Sequence, residues 1–170
     1  VTEQDMRGLS PQRDPVSHKG IHGHVGIIGG STGYHGAPIL AGYAGLRAQP
    51  GLVSIFTSAY QPVSAQCQSI MVHPWDRDCV ETLSRTTALV AGPGLAGGDV
   101  EDSLRQTVLN LWNESSKPMV VDASALDWLP KGAPDSEAFR LLTPHPGEAA
   151  RLLGCSPEKV ESGRVHAART

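Results

Sequence analysis

Short apolar runs ending on glycine, aspartate or threonine recur along this chain, separated by segments with helical spacing. Val25–Ile28 stops at Gly29-Gly30, and Leu52–Phe56 follows the turn at Gly51. Ser69–Val72 is a shorter run, and Thr87–Ala91 breaks into Gly92-Pro93-Gly94. Met119–Val121 ends at Asp122, and Arg140–Thr143 meets Pro144. Runs this short and this evenly apolar predict strands covered on both faces. Between them, residues 38–48 carry Ile39, Tyr43 and Leu46 at i, i+4 and i+7, and residues 62–68 predict a short helix. Asp99 predicts an N-cap, with Glu101 and Asp102 in the first turn and Leu104, Val108, Leu111 and Trp112 on the buried face. Ser156 and Pro157 open a final helix with Val160, Arg164 and Ala167 on one side. This alternation predicts an α/β fold, a mostly parallel sheet with helices on both faces. There is no internal repeat and no low-complexity tract.

Charge and length narrow the function classes. A net charge of −3 without a basic run argues against nucleic acid or an anionic membrane as partner. No apolar run approaches the ~20 residues needed to cross a bilayer, and nothing resembles a signal peptide. Cys67, Cys79 and Cys155 are odd in number and lack metal spacing, so they read as reduced thiols of a cytoplasmic protein. A length of 170 residues suits one domain, and 19 glycines with 13 prolines make it loop-rich. Residues 1–17, polar and containing Pro11 and Pro15, read as a leader or linker before a domain over 18–170.

The chemistry concentrates where the runs end. Thr143-Pro144-His145-Pro146-Gly147-Glu148 places two stiffening prolines, one imidazole and one carboxylate at the start of a helix that stops at Gly154. Gly29, Gly30, Gly33 and Gly36 form a loop whose backbone can approach a phosphate or a flat ring, with Ala37 at the following helix start. No Gly-Lys-Ser/Thr follows, so this is not a Walker A loop. Gly92-x-Gly94-x-x-Gly97 has the form of a dinucleotide fingerprint, but several strands precede it, whereas such loops follow the first strand. Asp122 either points into the crevice at the strand ends or caps the short helix after it. His18, His22, His24 and His35 cluster in sequence without the cysteine or carboxylate spacing of a zinc site, and no motif assigns a metal directly.

These stretches, in this order, resemble the ADP/ATP-dependent (S)-NAD(P)H-hydrate dehydratases of the ribokinase-like superfamily. The resemblance rests on His18-Lys19-Gly20, residues 24–31, Gly36-Ala37-Pro38-Ile39-Leu40, residues 45–47 with 51–53, residues 91–95, residues 122–126 and the hexapeptide. It covers nearly all of the chain after residue 17 but only about three-fifths of a family domain. It implies a ribokinase-like fold truncated at its C-terminal side. It implies a hydro-lyase that uses ADP or ATP with Mg2+ to return hydrated NADH or NADPH to its active form. Ala37, Gly94 and His145 would then contact the substrate. Glu148 and Asp122 would support the phosphate and magnesium network, and Gly29, Gly30, Gly33 and Gly92 would shape the loops. The family's Gly-Gly-x-Gly-Asp segment, with its base, has no counterpart here, so the base is expected beyond Thr170 and the chain alone is expected to be inactive. Ser124 stands where the family has a second aspartate, and Ala96 where it has a last loop glycine. The resemblance leaves room for a homo-oligomer and for an epimerase domain before Val1. A vitamin-precursor kinase of the same fold and a non-catalytic NAD-binding fragment are the alternative readings.

Overall fold

A computed structural model describes Thr2, Gln4, residues 14–76 and residues 78–170; most of the expected leader lies outside these. Among the described residues six strands form one sheet: β1 (His24–Ile28), β2 (Leu52–Thr57), β3 (Met71–Pro74), β4 (Ala88–Ala91), β5 (Met119–Val121) and β6 (Arg140–Leu142). All five pairings are parallel, in the order β3-β2-β1-β4-β5-β6. The helices are α1 (Gly36–Arg47), α2 (Tyr60–Ser64), α3 (Cys79–Ser84), α4 (Asp102–Glu114), α5 (Pro146–Leu153), α6 (Pro157–Ser162) and α7 (Arg164–Arg169). Short 3-10 turns span Lys19–His22 and Ala123–Trp128.

The unbroken apolar strands are explained by two cores, one on each face. Ile27, Val53 and Ile55 pack with Ile39 of α1, Val63 of α2 and Ile70. Ile28, Phe56, Leu89, Met119 and Val121 pack on the other face with Leu104, Val108 and Trp112 of α4 and with Cys79 and Leu83 of α3. Each such side chain, fully buried, contributes on the order of 1.5–3 kcal/mol. Two cations close the helix ends at the amino edge of the sheet. The Arg140 guanidinium donates to the carbonyls of Trp112, Ser115 and Lys117 at 2.9, 2.6 and 2.8 Å, tying the end of α4 to β6. Lys117 Nζ donates to the Leu83 and Ser84 carbonyls at the end of α3. Both satisfy carbonyls that a helix terminus leaves without partners.

Several local expectations shift. On α1 the buried residues are Pro38, Ile39 and Gly42, while Tyr43 is exposed. A Cβ at Gly42 would stand 2.7 Å from Ile70 Cδ1 and 3.1 Å from Ile55 Cδ1. The helix presses its bare backbone onto the sheet there, which an apolar-stripe count cannot register. Asp99 is not an N-cap. Glu101 holds that position without a side-chain bond, and Asp99 is used elsewhere. The expected final helix is two helices, because Gly163 leaves the helical region at φ −147° and ψ 49°. The predicted 62–68 helix and 69–72 strand lie at Tyr60–Ser64 and Met71–Pro74.

One polar chain is buried within the sheet. His24 Nε2 lies 2.9 Å from Ser54 Oγ, which lies 3.3 Å from His73 Nε2, and the His73 ring stacks on Phe56 at 5.0 Å. Burial lowers the pKa of both imidazoles; His73 and Lys117 depress His24 further, while Asp76 pulls His73 back upward. The folded state therefore favours neutral rings. Their contribution is full above the ordinary pKa near 6.5 and is lost as pH falls below it toward the depressed values. Thermal melts should be level above pH ~7 and decline below ~6.5, and His24→Gln should flatten that decline.

Candidate functional site

The strand order reverses between β1 and β4: successive strands run outward one way to β3 and the other way to β6. Loops diverge at such a point, leaving a crevice at the carboxyl edge. The ladder carries the loops to this edge together. The first residue past each of four neighbouring strands still donates to a carbonyl at the end of the adjacent strand. Gly29 N reaches Phe56 O at 3.0 Å, Gly92 N reaches Ile28 O at 3.0 Å, Asp122 N reaches Ala91 O at 2.9 Å, and Thr143 N reaches Val121 O at 3.2 Å. Gly29, Gly94, Asp122 and His145 thus all follow the same ends of parallel strands.

The two glycine loops are fastened to one another. Gly30 N donates to Pro93 O at 2.9 Å, and the buried Ser31 Oγ donates to Gly94 O at 2.7 Å while accepting from Gly97 N at 2.8 Å. Asp99 grips the outer side, accepting from Thr32 N at 3.0 and 3.1 Å and from Thr32 Oγ1 at 2.8 Å. Gly94 serves this closure, and Gly92 serves the contact with the turn after β5. Gly92 has φ +122° and Gly94 φ +75°, and Cβ atoms there would overlap the carbonyls of Asp122 and Tyr34. Since α4 begins only at Asp102, five residues after Gly97, the segment is not a strand–turn–helix dinucleotide loop. The Asp99 clamp escaped the sequence reading because a Gly-Gly-Asp before a helix looks the same whether the aspartate caps or crosses to another loop.

On the other flank, Thr143 Oγ1 donates to Asp122 Oδ1 at 2.7 Å, and no Asp122 side-chain bond caps the 3-10 turn after it. His145 is the N-cap of α5. Its Nδ1 accepts from Gly147 N at 3.0 Å and Glu148 N at 3.4 Å, while Glu148 Oε2 accepts from His145 N at 2.9 Å. This is a reciprocal capping box with imidazole in the place usually taken by a hydroxyl. With Nδ1 accepting, the neutral ring carries its proton on Nε2, 3.4 Å from Glu148 Oε1. The imidazole is 65% exposed and Glu148 is buried. Arg151 forms a two-pronged ion pair with Asp127, at 2.7 and 3.0 Å, beside this turn.

Ala37 is exposed at the start of α1, where no side chain caps the first N–H groups. Gly33 turns with φ +84° into open space. Of the sequence histidine cluster, His22 meets Ser17 at 2.8 Å, His24 is buried, and His35 begins α1. Among the described residues no group of three or more His, Cys, Asp or Glu could hold a metal ion. A cavity of about 700 Å³ lies apart from the loops, against β6 and the end of α5, walled by Trp112, Leu126, Leu142 and Leu152.

Comparison with known proteins decides the family. The NAD(P)H-hydrate dehydratase family profile matches residues 25–170. The chain belongs to the NAD(P)H-hydrate dehydratase family. It is 43% identical over 170 residues to the bifunctional NAD(P)H-hydrate repair enzyme of Escherichia coli, covering 98% of this chain and 32% of that one. It is 38% identical over 168 residues to the ATP-dependent (S)-NAD(P)H-hydrate dehydratase of Ixodes scapularis, covering 94% and 55%. The chain thus spans about a third of the bifunctional relative and just over half of the single-function one. Its fold matches the ADP/ATP-dependent NAD(P)H-hydrate dehydratase of Bacillus subtilis, co-crystallized with ATP and Mg2+, at a TM-score of 0.77 and 28% identity, over 96% of this chain and 58% of that one. A ribokinase-like protein of Enterococcus faecalis shares the fold at a TM-score of 0.75 and 23% identity, over 93% and 57%. The parallel six-stranded sheet is accordingly the ribokinase-like architecture, without the part those longer chains add.

The loop seam yields two stability tests. Gly92→Ala should cost about 3 kcal/mol or more, from positive φ plus overlap with the Asp122 carbonyl, and lower Tm by roughly 6–12 °C. Gly98→Ala, whose Cβ would meet nothing within 4 Å, should leave Tm unchanged. Asp99→Ala should cost about 1 kcal/mol at neutral pH, because its bonds are exposed. The Thr32 hydroxyl is the main cause of the lowered Asp99 pKa. That contribution is present above the ordinary carboxylate pKa of ~3.9 and vanishes as pH falls through the lower folded value. Melts of wild type and variant should therefore converge in strong acid.

Proposed function

We propose that this chain forms the dinucleotide side of an enzyme that dehydrates (S)-NADH or NADPH hydrate at the expense of ADP or ATP. The observation that carries the reading is the family match over residues 25–170 together with the meeting of the β1, β4, β5 and β6 loops at one sheet edge. The hydrated ring carries a hydroxyl, a poor leaving group. The nucleotide, with Mg2+, would transfer its terminal phosphoryl group to this hydroxyl, whose proton goes to a base, leaving the nucleotide one phosphate shorter; phosphate then departs as a proton is lost from the neighbouring ring carbon, restoring the ring double bond. The chain's own residues bind and orient. The fastened glycine loops offer a rigid floor, and Ala37 and Gly94 stand beside it without bulky side chains. His145 presents its ring edge to the substrate, with Nε2–H as donor. Glu148 Oε2 accepts from His145 N and so steadies the turn, while the rest of its carboxylate, with Asp122, supports the phosphate and Mg2+ network; Mg2+ sites typically use one or two carboxylates and keep phosphate and water ligands. Rate then comes from placement and electrostatic stabilisation. The work belongs to the cytoplasm, where these dinucleotides are used.

The 170 residues alone should bind the reduced dinucleotide yet turn over its hydrate at least 10²-fold more slowly than a longer enzyme that includes them, for want of a general base. Comparable turnover, followed by recovery of absorbance at 340 nm, would place the base within this chain and overturn the assignment. In the longer enzyme His145→Ala should raise KM for the hydrate or lower kcat, by about 0.5–1.5 kcal/mol for the lost hydrogen bond. Nucleotide affinity should be kept; the reverse pattern would remove His145 from the substrate side.

A further inference from the structure

The groove beyond the first glycine loop plays no part in that reading so far. It is a cavity of about 580 Å³ between Thr32, Gly33 and His35 on one wall and Ser58, Tyr60 and Gln61 on the other. That volume lies within the range of small-molecule sites. Its Ala59 side is held by the buried Thr57 hydroxyl, which donates to Gly30 O at 3.1 Å and accepts from Ala59 N at 3.0 Å. Its first wall is fixed by the Asp99 grip on Thr32. The groove is thus formed before anything enters it.

Its lining has a definite chemistry. None of the residues that line it is aspartate, glutamate, lysine or arginine. Thr32, Ser58 and Gln61 supply uncharged donors and acceptors, and Tyr60, 42% exposed, supplies an aromatic face. Among the described residues Ser58 Oγ is buried and has no hydrogen-bond partner. A buried hydroxyl left unpaired is costly, and Ser58 is one of the residues that line the groove, so an occupant could supply the missing partner. Next to the groove, the uncapped start of α1 offers N–H groups and a positive dipole end to a phosphate. A neutral polar slot with one aromatic wall, beside an anion site, matches a base and its ribose attached to phosphate.

We infer that this groove holds the adenosine end of the dinucleotide, with Tyr60 stacked on the adenine and Ser58 bonded to the base or ribose. The inference rests on the reading above, which puts the hydrated nicotinamide near His145. The groove opens on the β2 side of β1, and His145 follows β6. Neighbouring strands lie about 4.8 Å apart, so some 19 Å of sheet edge separates the ends of β2 and β6. A dinucleotide carries its two ring systems at opposite ends of a pyrophosphate and can lay one at each end of this edge, with the phosphates over the glycine loops between them.

The test is equilibrium binding by this chain of three probes: NADH, ADP-ribose and reduced nicotinamide mononucleotide. Tyr60→Ala should weaken NADH and ADP-ribose by roughly tenfold, within the range for loss of one base–aromatic stack. Ser58→Ala should weaken the same two probes by about two- to tenfold. Neither should change affinity for reduced nicotinamide mononucleotide, which His145→Ala should weaken. Melting curves of both groove variants within a few degrees of wild type would exclude misfolding as the cause. If NADH binds and responds to His145→Ala but both groove variants hold ADP-ribose normally, the adenosine site is wrong and the functional reading stands. Equal weakening of all three probes by the groove variants would also overturn it, since the groove would not distinguish the two ends. If the folded wild-type chain binds none of the probes, both readings fall together.

Discussion

The seam between the two glycine loops is the contact on which the rest of the carboxyl edge depends. It crosses the point where the strand order reverses, where helices leave in opposite directions and no helix spans the gap. Gly30, Ser31 and Thr32 reach over to Pro93, Gly94, Gly97 and Asp99, and six donor–acceptor pairs between them lie between 2.7 and 3.1 Å. Without it, each half of the sheet would carry its own loop and the crevice would have no fixed width. Gly29 and Gly94, which look like parts of a phosphate motif, are required first by this closure, because each lets one loop's backbone lie against the other's, at the Pro93 and Tyr34 carbonyls.

The imidazole turn is built on a different principle. Its firmness comes from within six residues, where two prolines limit the backbone and His145 and Glu148 cap each other. Local bonds of this kind place a side chain accurately relative to its own helix. The ladder bond from Thr143 N to Val121 O, and the Thr143 hydroxyl on Asp122, then relate that helix to the sheet. The site thus joins a long-range seam on one flank to a short-range cap on the other.

Much of this was legible in the residues, for reasons that can be named. Strands buried on both faces have to be apolar throughout, so Val25–Ile28, Leu52–Phe56 and Met119–Val121 declared themselves and, with them, the parallel sheet. The hexapeptide was legible because proline, glycine and an acidic first-turn residue act locally. The partners of Asp99 and Ser31 were not, because 67 residues separate Thr32 from Asp99 and 63 separate Ser31 from Gly94. No spacing rule spans such distances. Gly42 was missed for the opposite reason, since its contribution to packing is the absence of a side chain. The break at Gly163 and the real positions of α2 and β3 depend on tertiary fit at short elements, where propensity is weakest.

β6 is only three residues long and, among the described residues, pairs with β5 alone. Phe139 and Leu141 stand exposed there, and Arg140 anchors the strand through α4. The hexapeptide hangs directly from its end. The lateral stiffness of the His145 ring is therefore borrowed from a strand supported on one side. Any polypeptide pairing with the side of β6 turned away from β5 would brace the imidazole without touching it, so extension of the sheet and stiffening of the ring are mechanically one event.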